Sequence, residues 1–441
     1  MRISIKLLFV LGMTLAILVP LAMIRGTIGE RQAYRQQAVA DIARSYAGSQ
    51  AMSGPVLVVP YVETVSADEK DAQGFVHRIV RRQEGRWTFF PRELRVSGRL
   101  QPDVRRRGLH EVRVYELTAT SRAAFEAAIP ADADGSRRIG EPWLEYGIAD
   151  VRGLVGTPRL LVDARPLRVE QGARDGQGIH VRLRAPAAGE NLRLDVRLEF
   201  VLAGTESLAL VPLGGSNRFD IASPWPHPQF TGSFLPRHRT VDAQGFRADW
   251  EISSLATSAQ RQYLQGNRLL PGANPGGDVA GSAGIDVAGL SLVDPVNIYT
   301  QADRASKYGL LFVLLTFVGF FMFELIRQLP IHPIQYGLVG LALAIFFLLL
   351  LSLSEHVRFG VAYLVSSGAC IGLLGVYLSA VLRSTQRGIG FAAMLSLLYA
   401  ALYGLLVSED NALVLGSGLL FVILAAIMLV TRKVDWYQLG R

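Results

Sequence analysis

The two ends of this 441-residue chain are built from long runs with almost no charge. A helix needs about 20 apolar residues to cross a hydrocarbon core of roughly 30 Å. Six stretches meet that length: Leu7 to Ile24, Gly309 to Ile326, Tyr336 to Leu353, Phe359 to Leu382, Ile389 to Val407 and Ala412 to Val430. The first follows Arg2 and Lys6, and no small-residue cleavage pattern comes after it, so residues 1–28 read as an uncleaved transmembrane anchor. The other five are joined by short loops, which predicts a five-helix transmembrane bundle over residues 308–431 and a cytoplasmic tail over 432–441.

The middle of the chain has other periods. Tyr34, Ala38, Ile42 and Tyr46 recur every four residues amid Arg and Gln, predicting an amphipathic helical stalk over residues 29–50. Beyond Gly54-Pro55 the period drops to two. Leu192, Leu194, Val196, Leu198 and Phe200 alternate with Arg193, Asp195, Arg197 and Glu199, the pattern of a strand with one wet face. Val56 to Val62, Trp87 to Phe90, Val112 to Leu117, Ser207 to Pro212 and Phe246 to Ile252 read the same way. The expectation is a large β-rich domain over residues 51–307, antiparallel and sandwich-like, with room for one or two subdomains. Ser121 to Ile129 and Ser254 to Gln265 are helix candidates, and Pro271 to Gly284 reads as a loop.

Composition sharpens this division. Half the residues are hydrophobic and the mean hydropathy is +0.28, too apolar for an ordinary soluble enzyme. Of the net +8, residues 25–307 hold 36 Lys and Arg against 32 Asp and Glu, too small an excess to imply nucleic acid. Arg outnumbers Lys by 41 to 4, which reads first as GC-rich coding and second as a preference for phosphate contacts. One cysteine, Cys370, excludes an intrachain disulfide and a cysteine-based metal site. The positive-inside bias places both termini in the cytoplasm: Arg2, Lys6, Arg327, Arg383, Arg387, Arg432, Lys433 and Arg441 then lie inside, and Arg358 is the cation of the short outer loops. Arg25, Arg304 and Lys307 at the outer ends of the first two spans run against the bias. The expected localisation is a bacterial inner membrane, multi-pass, with the β-rich domain in the periplasm.

A set of strings resembles the CreD family of inner-membrane envelope proteins: Gly54-Pro55-Val56-Leu57, Asp150-Val151-Arg152-Gly153, Gly176-Gln177-Gly178-Ile179-His180, Trp225-Pro226-His227-Pro228-Gln229-Phe230 with Phe234-Leu235-Pro236, Asp303-Arg304-Ala305-Ser306-Lys307-Tyr308, His332-Pro333-Ile334-Gln335-Tyr336, Leu353-Ser354-Glu355-His356 and Asp435-Trp436-Tyr437-Gln438. They occur in order along nearly the whole length. The resemblance implies a role in envelope integrity, stress response and colicin tolerance, and it brings no reaction and no catalytic residues.

Independent signs of chemistry are sparse. His77, His110, His180, His227, His238, His332 and His356 show no pair at metal-ligand spacing, and no nucleophile elbow or phosphate-binding loop occurs. No enzyme activity, cofactor or metal is therefore expected. The prolines around Trp225 and His227 either present a rigid aromatic contact or stiffen a connection while Trp225 plugs a β-core. Glu324, near the cytoplasmic end of its span, reads as reaching the interface or pairing with Arg327. Small residues in Ser366 to Gly375 and Gly416 to Gly418 suit close helix packing. Glu355 and His356 form the sharpest candidate, an acid beside a titratable base where Arg304 and Lys307 could meet them. That cluster would couple the outer domain to the bundle, or else be a solvated loop. The leading function is a non-enzymatic envelope protein. A transporter or lipid-handling protein and a membrane-embedded envelope enzyme are the alternatives, with the lipid bilayer, and envelope proteins or lipids, as partners; the oligomeric state is left open.

Overall fold

The computed structural model describes residues 3–70, 76–108, 110–132, 135–173, 177–267, 269, 284–292, 298–327, 332–407 and 412–432. The expected tail beyond Arg432, most of the loop 271–284, and Glu409 and Asp410 lie outside them. The chain divides into two compact units, residues 1–35 with 296–441, and residues 36–295.

The helical unit holds α1 (Ile3–Ser45, as far as Arg35), α3 (Ile298–Arg327), α4 (Pro333–Ser354), α5 (Phe359–Val381), α6 (Thr385–Val407) and α7 (Ala412–Thr431). Among the described residues five helices are long and apolar enough to cross a membrane, and α7 adds the apolar stretch Val414–Ala425. The expected anchor and stalk are one helix, and α3 begins at Ile298, well before the boundary expected at 308. Helices α3, α4, α5 and α6 pack in a ring, each against the next and α6 back on α3, with α7 against α6. Lipid tails are as apolar as leucine, so cohesion here comes from close packing. At Gly340 an added Cβ would sit 1.8 Å from Ile17 Cδ1 and 2.8 Å from Phe317 Cζ, so glycine lets α4 approach α1 and α3. Gly375 approaches Ala392 and the hydroxyl-bearing Ser366 and Ser367 are buried, in keeping with the small-residue pattern. Gly368, Gly372 and Gly418, in contrast, face open space. The centre is aromatic: the Phe312 ring lies tilted and the Phe346 ring edge-on to Tyr399, with centroids 4.6 and 4.7 Å away, and the Tyr363 hydroxyl donates to the Tyr399 carbonyl at 2.7 Å.

The β-rich unit forms two sheets. The first contains β1 (Gln50–Lys70), β2 (Val76–Phe89), β5 (Arg137–Ile139), β6 (Trp143–Ile148), β9 (Glu170–Gln171), β10 (Ile179–Arg182), β12 (Ser207–Leu210), β14 (Gln229–Gly232) and β17 (Ala288–Ser291). The second runs β15-β16-β13-β3-β4-β11-β7-β8, built from β3 (Glu93–Arg107), β4 (His110–Ala128), β7 (Leu154–Val162), β8 (Arg165–Leu167), β11 (Asn191–Thr205), β13 (Ser216–Ser223), β15 (His238–Asp242) and β16 (Gly245–Ser253). Pairing is antiparallel as expected, except that β1 runs parallel to β12 and β3 to β13. One core fills the space between the sheets, with Leu57, Leu144 and Tyr146 from the first meeting Leu117, Phe219 and Trp250 from the second. The first sheet buries its other face under the short helix α2 (Ala259–Leu264), which sets Ala259 and Tyr263 against Val56, Val58 and Ala209.

One helix expectation fails. Ser121 to Ile129 belongs to the β4 strand and its exit, where Ser121, Ala123, Phe125, Ala127 and Ile129 are buried while Arg122, Glu126 and Ala128 are exposed. Its Ala, Arg and Glu content favours helix, but pairing with β3 on one side and β11 on the other overrides that weak preference. The Ser254 to Gln265 candidate holds a 3-10 turn followed by α2.

Candidate functional site

Glu355 caps the C-terminal end of α4, and its carboxylate is drawn into the helical unit with a side chain 7% exposed. The Tyr299 hydroxyl, at the start of α3, donates to Oε1 at 3.3 Å. Arg31 of α1 brings its Nε to 3.5 Å of the same oxygen. One carboxylate thus joins three helices, among them α1 and α3, which lead into and out of residues 36–295. A second tie binds the same two helices: Arg25 donates from Nη2 to the Ser306 carbonyl at 3.2 Å and from Nε to the Ser306 hydroxyl at 3.3 Å.

Of the residues singled out by sequence, Lys307 pairs within its own helix with Asp303 at 2.7 Å. Arg304 is half-buried on α3, and His356 is exposed, its Nδ1 3.1 Å from the Ser352 carbonyl. Arg31 and Tyr299 were not anticipated. A signal for Arg31 exists: it extends the buried stripe Ile17, Leu21, Ile24 and Ile28 at three- and four-residue spacing. Glu324 is buried and accepts a 2.8 Å hydrogen bond from the Tyr336 hydroxyl.

Within the β-rich unit, Trp225 is buried in the inter-sheet core, its Nε1 donating to the His227 carbonyl at 2.8 Å and the Arg113 guanidinium stacked 4.4 Å from its ring. His227 and Gln229 are the exposed members of that string. Asp150-Val151-Arg152-Gly153 secures the end of α1. Arg152 donates from Nη1 to the Arg44 carbonyl at 2.7 Å, where the helix leaves its last carbonyls unpartnered. Asp150 accepts from Arg152 Nε at 2.9 Å and from the Gly48 N–H at 3.0 Å. The Arg152 guanidinium, and then the Gly48 and Arg152 N–H groups, hold this carboxyl below the usual aspartate range against the opposing effect of burial. Gly153 is packed so closely that an added Cβ would meet the Ala203 carbonyl oxygen at 2.3 Å. His332 caps α4 in a reciprocal box, accepting from the Ile334 N–H while Gln335 accepts from the His332 N–H.

Four of the eight strings that resembled a family are therefore junctions: a helix end, a helix start, a core plug and a three-helix clamp. The family model described as "Inner membrane protein CreD" matches residues 2–437. The chain belongs to the CreD family. The inner membrane protein CreD of Escherichia coli (strain K12) is 33% identical over 437 residues, covering 98% of this chain and 93% of that protein. Two crystal structures of an M1 zinc metallopeptidase from Deinococcus radiodurans each align over 46% of this chain and 42% of theirs, at 10% and 11% identity. Their TM-scores of 0.21 and 0.20 carry no inference for a CreD protein. Among the described residues no group of three or more His, Cys, Asp or Glu side chains is placed to hold a metal ion.

Proposed function

We infer that this CreD-family protein is a non-enzymatic component of the inner membrane that maintains envelope integrity under stress, including tolerance to colicins. In this reading both termini face the cytoplasm and residues 36–295 face the periplasm. The observation that carries it is the Glu355 clamp, because it joins the two helices that enter and leave the β-rich unit at one end of the bundle, next to His356. A state change in the β-rich unit that pulls on α1 or α3 would be felt there. The placement is supported by the cations of the α3–α4 and α5–α6 connections and by the acids of the α4–α5 and α6–α7 loops.

The test is a strain lacking this protein, complemented with wild type or with Glu355→Ala, scored for survival under colicin and detergent challenge. Wild type restores survival in this account, and Glu355→Ala restores it only in part at equal protein level. Full rescue by Glu355→Ala removes the coupling role, and a deletion strain as tolerant as its parent removes the envelope role. A lipid-handling function gains support from one cavity in the β-rich unit.

A further inference from the structure

The inward-facing row of β11 loses its cover toward one end. Val196, Leu198 and Leu202 are fully buried, whereas Leu192 and Leu194, on the same face, are half-exposed. They open onto a cavity of ≈ 850 Å³ lined from both sheets, with Leu167 of β8 and Leu183 beyond β10 completing an apolar floor. That volume falls in the range of roughly 300–1,000 Å³ typical of small-molecule sites. Removing leucine surface from water is favourable, so four left half-covered forgo stabilisation that an apolar occupant would recover.

The rim supplies the other half of the ligand's chemistry. Arg165, Arg182 and Arg184 stand around the mouth. Arg182 lies 3.8 Å from Glu170, while the guanidiniums of Arg165 and Arg184 have no ionic or hydrogen-bonding partner among the described residues. The two acids of the rim are already engaged: Asp163 accepts the Asp195 N–H at 2.9 Å, and Glu190 accepts the Ala187 N–H at 2.7 Å. Two unengaged guanidiniums over a leucine floor match a phosphate-bearing head attached to a hydrocarbon chain.

We propose that this cavity binds a membrane phospholipid with an anionic head, its acyl chain over the four leucines and its phosphate held by Arg165 and Arg184. The proposal deepens the envelope reading, and rests on it for the source of the ligand, since a bilayer anchor keeps such lipids within reach. No bond is made or broken.

The experiment uses the full-length protein in maltoside micelles, irradiated with lysophosphatidylglycerol carrying a diazirine at its tail, with labelled peptides mapped by mass spectrometry. Label is expected in the segments 160–167 and 183–194, beyond any label on the helices. Arg165→Glu with Arg184→Glu, both at exposed sites, lowers it about tenfold, as the loss of charge-assisted hydrogen bonds to phosphate implies. Leu194→Trp, which fills the cavity, lowers it by a similar factor while leaving the thermal midpoint near that of wild type. Lysophosphatidylcholine with the same diazirine labels less, because its choline opposes the rim. Label confined to the helices, label insensitive to charge reversal, label displaced by inorganic phosphate alone, or a crosslink between two copies in these segments would each overturn the proposal. Survival assays separate the two claims: lost labelling with intact tolerance leaves the site and detaches it from the envelope role, whereas unlabelled wild type in a tolerance-restoring strain leaves the role and removes the site.

Discussion

The two units of this chain turn opposite faces to their surroundings. In the helical unit Leu364, Val376, Leu397 and Phe421 are each more than two-thirds exposed, while Tyr363, Tyr399, Phe346 and Cys370 are buried. In the β-rich unit the surface of β11 and β16 is Arg193, Arg197, Arg247 and Glu251, and the leucines and aromatics point between the sheets. The exposed apolar surface of the first would be a serious liability in water and costs nothing against lipid acyl chains. One sequence therefore encodes folding in two solvents, with burial of apolar surface driving the β-rich unit and shape, small residues and internal hydrogen bonds holding the bundle.

The sharpest break of this contrast is core truncation in the unit that depends on apolar burial. Trp250→Ala, removing a side chain 2% exposed at the heart of the inter-sheet core, should cost about 3–5 kcal/mol by denaturant unfolding of the purified protein. A loss under 1 kcal/mol would mean that this core is not what stabilises the unit. Next comes a charge on each outer surface. Leu397→Arg on α6, 72% exposed, should disfavour membrane insertion by roughly 2.5–3.5 kcal/mol, whereas Val241→Arg on β15, 47% exposed, should stay within about 0.5 kcal/mol. Equal effects at the two positions would erase the distinction.

How much of this was legible follows from the physics of each pattern. A membrane span declares itself by length alone, so the helices were readable even where their ends were not; α3 begins in Ile298-Tyr299 because its first turns carry Gln301, Asp303, Arg304 and Lys307, which no apolar scan collects. Strands with one wet face, such as β11 and β16, declare themselves by alternation. The Ser121–Ile129 segment hid its alternation behind alanines, which are compatible with either period. Partners distant in sequence left no signal at all: β1 runs beside β12 and β3 beside β13 because of topology. The clamp shows the same limit at one residue. Glu355 was visible, but proximity to the head of α3 suggested Arg304 and Lys307 as its partners, and Lys307 is satisfied one turn away by Asp303 while the stripe on α1 delivers Arg31.

Smaller effects sharpen the comparison further. Hydrogen bonds to charged groups are worth about 1.5–3 kcal/mol, and the 3.3 and 3.5 Å separations at Glu355 put it at the low end. Tyr299→Phe should therefore lower the thermal midpoint of the helical unit by only a few degrees, read from tryptophan-independent helix signal, and leave the β-rich unit unchanged. The smallest effect is on acid stability. Asp150 sits below the ordinary aspartate range through Arg152, and Glu251 below the ordinary glutamate range through Arg218. A depressed carboxyl stabilises the fold above its unfolded value, near pH 4, and that stabilisation fades as pH falls through the folded value. The β-rich unit should accordingly hold level stability from pH 5 to 8 and weaken below about pH 4, and Asp150→Asn should make the acid limb shallower.

If the helices span the bilayer as proposed, residues 36–295 lie on the side opposite the termini. With Cys370 replaced by Ala, single cysteines at Leu255, 97% exposed in the β-rich unit, and at Gln386, exposed in the first turn of α6, are treated with a membrane-impermeant maleimide in cells whose outer membrane alone has been opened. Leu255→Cys should then label rapidly and Gln386→Cys not at all until the inner membrane is permeabilised. Labelling of Gln386→Cys from outside with Leu255→Cys protected, or equal labelling of both in sealed cells, would contradict it.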